Sequence, residues 1–450
     1  MRTQLFSLPF LVTASACASQ TGAPINIVNE ITNEVTVDGC CGCEDDCSDC
    51  DDDPCDEGDP CADDDTGVDD DTGEPVDTGE PVEEWVDFKE EHRANLELEV
   101  NQVDVAFLID TTSSMNGTAQ AMANEFNDIV DELDASIPSA AYGYATYRDH
   151  PYGSFAESDD RPFELAQQIT TDTIAVQDEL DATVTSGGGD TTESGMEALY
   201  QALTGQGYDQ NGNGLFDADA DVLPFNLAAD AVFAGSSAVA EDTAVVGGGS
   251  IGGMGFRDGS LPVIVYATDA TLRDPDAGNP TPLDATFSAG ASDVTVEADA
   301  LGARLIGVAT QTNPVSQMED LANATNSLYD GTGDGTADDP LVFLWTGSSA
   351  DFRATVVDAI EGMLENVTFT TVTAVVTGNS YGFATTVTPA SYSNITVGST
   401  AVDLDFNVDI SGTVAASTSD QTFPLTLEIY GDSTTLLGTR DVSVTVPASL

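Results

Sequence analysis

The sequence is nearly without basic residues. Lys and Arg together number 10 against 80 Asp and Glu in 450 residues, which gives a formal net charge of -70 at pH 7. Lys89 is the only lysine. A surface of this charge repels nucleic acid and anionic membranes and attracts divalent cations. Adaptation to saline surroundings is the favoured explanation, because acidic residues are also frequent in the segments predicted to fold. Broad calcium buffering and simple solubility are the alternatives.

Histidine is nearly absent as well, since the chain has only His92 and His150. General-base catalysis of the usual kind therefore has few candidates. Residues 248–252 spell the G-x-S-x-G of serine hydrolases, but no strand pattern leads into them and both histidines lie upstream, the wrong chain order for that fold. A metal-activated water would need a positioned base, and the sequence supplies no obvious one. We predict that the protein is not an enzyme.

Beyond residue 16, the sequence has no stretch of the ~20 continuous apolar residues that span a bilayer. Residues 1–16 are typical of an export signal, with Arg2 at the start, an apolar run and small residues before Cys17. That ending is typical of bacterial lipoproteins, so we predict lipidation of Cys17; an ordinary signal peptide cut nearby is the alternative. The protein is predicted to be an outer-membrane or cell-surface lipoprotein, otherwise secreted, that meets a membrane only through its lipid anchor.

The other cysteines are concentrated between residues 40 and 61, among Asp, Glu, Gly and Pro. In an oxidising compartment such a cluster predicts small disulfide-pinned loops. Lipidation of Cys17 would leave an odd number of thiols, whereas all eight cysteines could pair evenly. A metal cluster is the alternative, although the spacing matches no standard zinc or iron–sulfur pattern. Because residues 44–84 are almost all Asp, Glu, Gly, Pro and Thr apart from cysteine, we predict a Cys-rich, acidic, disordered stalk over 17–95.

Residues 96–367 alternate strand and helix patterns, which predicts an α/β domain with a doubly wound, mostly parallel sheet. An insertion at 205–258 interrupts this order. The predicted strands of this domain are 103–109, 140–147, 163–169, 261–268, 304–310 and 341–344, and a closing helix is predicted over 352–363.

Three oxygen side chains alternate where the first strand of this domain ends. Asp110, Thr112 and Ser114 follow the apolar run 103–109. In an extended segment alternate side chains point the same way, so a carboxylate and two hydroxyls can converge on one point. Hard oxygen ligands of this kind suit Mg²⁺, Mn²⁺ or Ca²⁺. The loop after Ile109 is therefore a candidate cation site.

This pattern resembles the metal-ion-dependent adhesion site of von Willebrand factor A (vWA) domains, whose first loop reads D-x-S-x-S. Their second loop brings a ligand just after a glycine pair at a helix start, and here 187–193 precedes a helical pattern. Their third loop is an Asp at the end of a central strand. The resemblance covers roughly 97–367 and implies a vWA, Rossmann-like fold. The Mg²⁺ or Mn²⁺ ligands that it implies are Asp110, Thr112, Ser114, Asp190 and Asp269.

The second loop departs from the family pattern. It usually offers a Thr where this chain has Asp190, although Thr191 or Thr192 could serve if the loop shifts by one residue. In the family, a site with few direct carboxylates favours an acidic group from a partner. A third direct carboxylate would weaken that preference, so the resemblance supports metal binding better than integrin-like ligand capture.

The insertion contains a second candidate site, beginning at Asp209. Oxygen side chains at positions 1, 3, 5 and 9, with Gly at position 6, match the Ca²⁺ loop of EF-hands and dockerin-like modules. The usual Glu at position 12 is Ala220 here. The alternative is an Asx-rich turn. The predicted calcium-binding residues are Asp209, Asn211, Asn213 and Asp217.

Beyond residue 368 the sequence is rich in Thr, Val and Ser with alternating apolar positions. Residues 402–410 alternate strictly, as a half-buried strand does. Short strands separated by turn residues predict an all-β, immunoglobulin-like sandwich over 368–450. That region has neither Cys nor Trp, so only the class of fold is predicted.

These features together predict a cell-surface module for divalent-cation-dependent adhesion or protein binding. The partner would be a protein or a carboxylate-bearing polymer, whose carboxylate completes the coordination of the metal. The alternative is a structural envelope or assembly protein in which the cations only stabilise the fold.

Overall fold

The structure is a computed structural model that describes residues 84–151, 155–209, 211–214, 216, 221–224, 245–282, 287–398 and 400–449. Residues 1–16, Cys17, the cysteine cluster and the predicted stalk as far as residue 83 lie outside the described residues, as does Asp217. The chain divides into two units, Met1–Thr78 and Gly79–Leu450, and all described residues belong to the second. Within the described part, the helices are too short or too polar to cross a membrane.

Strands and helices are interspersed through about the first three quarters of the described chain, and strands alone follow. In chain order the strands are β1 (Trp85–Leu98), β2 (Gln102–Asp110), β3 (Ser139–Tyr147), β4 (Glu164–Thr170), β5 (Thr192–Glu193), β6 (Leu261–Thr268), β7 (Thr271–Leu272), β8 (Arg304–Ala309), β9 (Leu328–Tyr329), β10 (Asp339–Pro340), β11 (Val342–Leu344), β12 (Asn366–Thr377), β13 (Ala384–Thr388), β14 (Ser391–Gly398), β15 (Val402–Ala415), β16 (Gln421–Gly431) and β17 (Thr435–Val446). The helices are α1 (Asn116–Ser136), α2 (Thr173–Ala182), α3 (Gly195–Thr204), α4 (Ala291–Leu301), α5 (Val315–Ala324) and α6 (Ser349–Leu364).

A six-stranded sheet with the order β11-β8-β6-β2-β3-β4 forms the centre of the α/β region. Every neighbouring pair is parallel except β3 and β4, which are antiparallel. From β2 the chain adds β3 and β4 on one side, and it then returns to add β6, β8 and β11 on the other. The point where the direction of winding changes therefore lies between β2 and β6.

Both faces of this sheet are buried, as the continuous apolar run of β2 predicts. Val105 and Phe107 belong to one hydrophobic cluster, together with residues of α1, α2 and α6. Ala106 and Leu108 face the other way, into a second cluster that includes residues of α3, α4 and α5. Helices therefore cover both sides of the sheet.

Two antiparallel sheets occupy the rest of the described chain. One has the order β1-β15-β13 and the other β14-β12-β16-β17. Alternate residues of β15 and β16 are buried, including Phe406, Val408 and Leu427, and they join the same hydrophobic cluster as α1 and α6. The all-β character predicted for 368–450 is confirmed; the immunoglobulin-like class stays a prediction.

Strand β1 corrects the predicted stalk, which was placed over 17–95. Trp85–Leu98 pairs along its whole length with β15, so the folded part begins before residue 96. The inner row of β1 includes Glu90 and His92, which contact each other at 3.0 Å between Oε2 and Nε2. These polar residues interrupt the apolar alternation that identifies a strand, so the sequence pattern does not predict β1.

Candidate functional site

The predicted ligands of the first and third loops lie where the direction of winding changes. Asp110 is the last residue of β2, and Asp269 follows the last residue of the neighbouring β6. The two strands are parallel, so their carboxyl ends meet at the same edge of the sheet. Open α/β sheets bind ligands at this kind of position, because the loops on the two sides diverge and leave a crevice.

Asp110 is fully buried and accepts three hydrogen bonds from neutral groups. Its Oδ1 accepts from the backbone N–H of Thr112 at 2.8 Å and from the Thr112 hydroxyl at 2.7 Å. Its Oδ2 accepts from the hydroxyl of Thr268 at 2.6 Å. Burial raises the pKa of Asp110 to about 6, since loss of water outweighs these hydrogen bonds and the charge of Asp269 adds to the effect.

Ser114 connects the first loop to the third. Its hydroxyl donates to Oδ1 of Asp269 at 3.1 Å and lies 3.4 Å from the Thr112 hydroxyl. Asp110, Thr112, Ser114 and Asp269 thus form a continuous chain of contacting oxygen atoms. The side chains of the D-x-T-x-S motif thus lie together, but the extended segment predicted for them is wrong, because Ser113–Met115 is a short 3₁₀ helix.

Backbone contacts hold the second loop against the first. The N–H of Ser186 donates to the carbonyl of Thr111 at 3.0 Å, and the Ser113 hydroxyl donates to the carbonyl of Gly187 at 3.1 Å. Gly187 and Gly188 have positive φ angles of 72° and 79°, a conformation that favours glycine. The glycine pair therefore lets the second loop turn close beside the first.

Asp190 has different partners from the other predicted ligands. Its carboxylate accepts from the backbone N–H of Thr192 at 2.8 Å and forms an ion pair with Arg273 at 3.0 Å. Arg273 also pairs with the buried Asp149 and donates to the carbonyl of Thr192 at 2.7 Å. Burial lowers the pKa of Arg273, but the hydrogen bonds and charges of Asp149 and Asp190 raise it above its usual range. The guanidinium thus neutralises the acidic side chain at this end of the second loop.

Glu193 is a buried acid beside the site that the sequence did not single out. It is the last residue of β5, which pairs with β7 of the third loop, and its side chain is almost buried at 5% exposure. Burial raises its pKa to about 9, and the charges of Asp110, Asp149 and Asp190 contribute. The only sequence signal was its place in the segment 187–193 that resembles the second vWA loop.

The residues at this edge suit a hard divalent cation. Carboxylate and hydroxyl oxygens are the preferred ligands of Mg²⁺, Mn²⁺ and Ca²⁺. Among the described residues, the ion pairs include neither Asp110 nor Asp269, so the structure holds two adjacent acids without a basic partner. The same part of the chain contains no group of three or more His, Cys, Asp or Glu arranged for a metal. A cation here would therefore depend on hydroxyl oxygens as well as carboxylates.

The insertion loop folds around the carboxylate of Asp209. Its Oδ1 accepts from the N–H of Asn213 at 3.2 Å, and its Oδ2 accepts from the N–H of Gly214 at 2.7 Å. Asn211 lies in the same turn and accepts from the N–H of Asn213 at 3.0 Å. Three of the four predicted calcium residues therefore share one turn, and the fourth, Asp217, lies outside the described residues.

A groove of about 320 Å³ begins at Ser114 and runs along the neighbouring strand ends. The indole N–H of Trp345 in its wall donates to the carbonyl of Ser348 at 3.0 Å. The lining residues carry no charged side chain, in contrast to the acidic composition of the whole chain; they are Ser114, Gly117, Thr118, Thr310, Gln311, Thr312, Leu344, Trp345, Thr346 and Gly347.

No family model and no curated protein matches this sequence. Solved structures that match include the ArnB paralog VWA2 from Sulfolobus acidocaldarius, which is 11% identical, with 81% of this chain and 72% of that chain covered and a TM-score of 0.28. The open conformation of the pilus adhesin SpaC from Lactobacillus rhamnosus GG is 9% identical, with 81% of this chain and 47% of that chain covered and a TM-score of 0.33.

Proximal thread matrix protein 1 from the mussel byssus is 11% identical, with 60% of this chain and 47% of that chain covered and a TM-score of 0.32. The matched regions span about half the length of the pilus and byssus proteins.

Proposed function

We propose that this chain is a cell-surface module of the vWA type that binds a protein or a carboxylate-bearing polymer through a divalent cation. The observation that carries the proposal is the chain of contacting oxygens formed by Asp110, Thr112, Ser114 and Asp269 at the carboxyl ends of β2 and β6. Two acids held side by side without a basic partner are costly in an ion-free protein and favourable around a cation.

The proposed ligands supply fewer oxygens than Mg²⁺ or Mn²⁺ takes up, so water or a partner would complete the coordination shell. A carboxylate from a partner is the preferred completing group, since it brings both an oxygen and a negative charge. The sequence places Asp190 in this set as well. Because Asp190 is paired with Arg273, we propose that it acts at a distance from the ion rather than as a direct ligand.

The other parts of the proposal rest on sequence alone. Export, lipidation of Cys17 and display of the module on an acidic stalk would place the cation site away from the membrane. An immunoglobulin-like arrangement of the two antiparallel sheets would provide a rigid support. Ca²⁺ bound by Asp209, Asn211, Asn213 and Asp217 would rigidify the insertion.

Thermal unfolding of the full chain in high salt tests the cation site. Wild type, Asp110→Ala and Asp131→Ala are compared in Mg²⁺, Mn²⁺ and Ca²⁺; Asp131 is an exposed residue of α1 and serves as the control. A ligand at 100 times its Kd stabilises the native state by about 2.7 kcal/mol. We expect that stabilisation by Mg²⁺ and Mn²⁺ in wild type and Asp131→Ala, and its loss in Asp110→Ala; with Ca²⁺, Asp110→Ala should keep only the share contributed by the loop at Asp209. Equal shifts in all three proteins would indicate diffuse screening and contradict the proposal.

A polymer probe separates adhesion from the structural alternative. Poly-L-glutamate is titrated into the ion-loaded and ion-free chain, with a neutral polymer of similar length as control. If the cation recruits a partner carboxylate, poly-L-glutamate binds only to the ion-loaded chain, and Asp110→Ala abolishes the binding. If the ion stabilises the chain but the polymer never binds, the cations only support the fold, and the structural alternative replaces the adhesion function.

A further inference from the structure

The groove that begins at Ser114 is lined by hydroxyl groups rather than by charges. None of its ten lining residues is charged, although the chain has 80 acidic residues. A partner that carries several carboxylates can therefore lie in the groove without facing an acidic side chain of its lining. Half of the lining residues carry a hydroxyl; they are Ser114, Thr118, Thr310, Thr312 and Thr346.

Trp345 forms a firmly held aromatic wall of this groove. Its indole N–H donates to the carbonyl of Ser348 at 3.0 Å, and its backbone N–H donates to the carbonyl of Ala309 at 2.8 Å. The indole also meets the ring of the buried Phe352 in a T-shaped contact, with 5.4 Å between the ring centroids. Because the indole N–H is already satisfied, the ring offers a partner apolar surface but no further hydrogen bond.

Two hydroxyls of the groove have only a weak partner among the described residues. Thr118 is 3% exposed, and its hydroxyl contacts the sulfur of Met115 at 3.9 Å. The hydroxyl of Thr310 contacts the same sulfur at 3.8 Å. A thioether is a weak acceptor, so both hydroxyls can form stronger hydrogen bonds with a partner that has hydroxyls of its own.

The position of the groove determines which part of a partner enters it. The groove starts at a proposed cation ligand, so the atoms directly beyond a coordinating carboxylate lie nearest to it. In a glutamate side chain these atoms are methylene groups, which cannot bond to hydroxyls. In a uronic acid the carboxylate is attached directly to a sugar ring. The C–H groups of that ring can pack on the face of Trp345, while its hydroxyls meet those of Thr118 and Thr310.

We propose that the partner is an acidic glycan, a polymer of uronic acids, whose carboxylate completes the cation shell while its sugar ring packs on Trp345. This inference rests on the proposed cation-dependent adhesion and names the class of its partner. High salt favours such selection, because the Debye length falls to about 3 Å at 1 M and screened charges discriminate poorly between partners of equal charge. The neutral contacts of the groove then decide between those partners.

Calorimetric titration of the full chain in high salt, with Mg²⁺ or with EDTA, tests this preference. The probes are tetragalacturonate and a tetraglutamate with blocked ends, which carry the same number of carboxylates. We expect tetragalacturonate to bind more tightly by about tenfold or more, and only in Mg²⁺. In Trp85→Phe, Trp345 is the sole tryptophan, so its fluorescence should change with tetragalacturonate in Mg²⁺ and not in EDTA.

Variants of the groove locate the preference. Trp345→Ala should weaken tetragalacturonate by about tenfold or more and change tetraglutamate less than about twofold. Trp345→Phe keeps a ring against Phe352 and should retain most of the affinity. Trp85→Ala removes the other tryptophan, which is 59% exposed and does not line the groove, and should change neither affinity. Thr118→Val keeps the shape of the side chain and should weaken only tetragalacturonate, by about threefold to tenfold.

The same titrations separate this inference from the proposed function. If tetraglutamate binds in Mg²⁺ as tightly as tetragalacturonate, or if Trp345→Ala weakens neither, the acidic glycan is refuted and cation-dependent binding of a protein stands. If tetragalacturonate binds equally well in EDTA, the groove acts without the cation, and the inference is overturned. If neither probe binds the ion-loaded chain, the proposed adhesion itself is refuted.

Discussion

The two ends of β2 place the same residue type in two different environments. Asp104, near its start, and Asp110, at its end, are both fully buried. Asp104 accepts from the N–H and the guanidinium Nε of Arg257, both at 2.6 Å, and from the hydroxyl of Ser260 at 2.8 Å. Asp110 receives hydrogen bonds from neutral groups only, and an acid, Asp269, lies next to it.

Burial raises the pKa of both carboxyls, but only one environment contains the compensating charge. At Asp104 the hydrogen bonds and charge of Arg257 oppose the effect of burial. At Asp110 the neighbouring charge adds to it. A buried acid needs a positive partner, and where the chain does not provide one, a cation from solution can do so. The start of β2 is therefore structural, and its end is suited to binding.

The largest loss of stability is expected from breaking the ion pair between Asp104 and Arg257. Asp104→Asn leaves the charge of Arg257 buried without its partner, and loss of one member of a buried pair typically costs about 3–5 kcal/mol. Urea unfolding should show this loss equally in EDTA and in Ca²⁺, because no external ion takes part. Asp258→Asn, an exposed change nearby, should be close to neutral. If Ca²⁺ restored the stability lost in Asp104→Asn, the contrast between the two ends of β2 would be wrong.

Asp110→Asn should have the opposite effect in the ion-free protein. The amide keeps an acceptor for Thr112 and can donate to the hydroxyl of Thr268, while the buried charge disappears. Since burial raises the pKa of Asp110 from 3.8 to about 6, its removal should stabilise the ion-free chain at about pH 8 by up to about 3 kcal/mol. Urea unfolding in EDTA measures this gain. A loss of stability in EDTA would indicate a structural role like that of Asp104.

Glu197 is a third buried acid for this comparison. Like Asp110 it accepts hydrogen bonds from neutral groups, but it is not one of the proposed cation ligands. It accepts from the Gln201 amide at 2.8 Å and from the N–H of Ala289 at 2.8 Å. Burial raises its pKa from 4.5 to about 7. A raised folded-state pKa stabilises the protein below the unfolded value, and this contribution disappears as the pH rises through the folded value.

Glu197→Gln, made in the ion-free Asp110→Asn background, isolates the contribution of Glu197, because other buried acids such as Glu193 keep their raised pKa in both proteins. In EDTA, the free energy of unfolding of Asp110→Asn relative to the double variant should fall by roughly 2 kcal/mol between about pH 5 and about pH 8. The measurement is a series of urea titrations across that range. A stability that rose over the same range would show that Glu197 is charged and compensated in the fold, in the manner of Asp104.

Much of the fold could be predicted because its strands and helices follow simple periodicities. The predicted strands 140–147 and 261–268 lie within one residue of β3 and β6. β1 could not be predicted in this way, since Glu90 and His92 interrupt its inner row and its partner, β15, lies about three hundred residues further along the chain. Pairing at that distance leaves no local signal in the sequence.

The D-x-T-x-S spacing predicts that the oxygens of Asp110, Thr112 and Ser114 lie together, and in the structure they do. The extended segment predicted there is instead a 3₁₀ helix over Ser113–Met115, so a turn brings the side chains together. The surroundings of Asp190 and Glu193 could not be predicted, because they depend on Arg273 and on the pairing of β5 with β7, which join distant segments. The guanidinium of Arg273, on the third loop, determines that Asp190 is neutralised. A single sequence does not show which acid such a distant cation contacts.

The smallest predicted change in stability concerns two loops with similar hydrogen bonding, one at Asp209 and one at Asp330. Asp330 accepts from the N–H groups of Asp334 at 3.0 Å and Gly335 at 2.8 Å, much as Asp209 accepts from Asn213 and Gly214. Replacing either Asp by Ala removes two such hydrogen bonds, which should cost about 1 kcal/mol in EDTA.

Only the Asp209 loop has the full series of predicted calcium ligands, so only Asp209→Ala should reduce the stabilisation by Ca²⁺. Thermal unfolding of wild type, Asp209→Ala and Asp330→Ala across a Ca²⁺ titration measures the difference. Asp330→Ala is the matched control, because it breaks the same turn. If both variants kept the full response to Ca²⁺, the insertion loop would be an Asx-rich turn, and the carboxyl ends of β2 and β6 would remain the proposed cation site of the described chain.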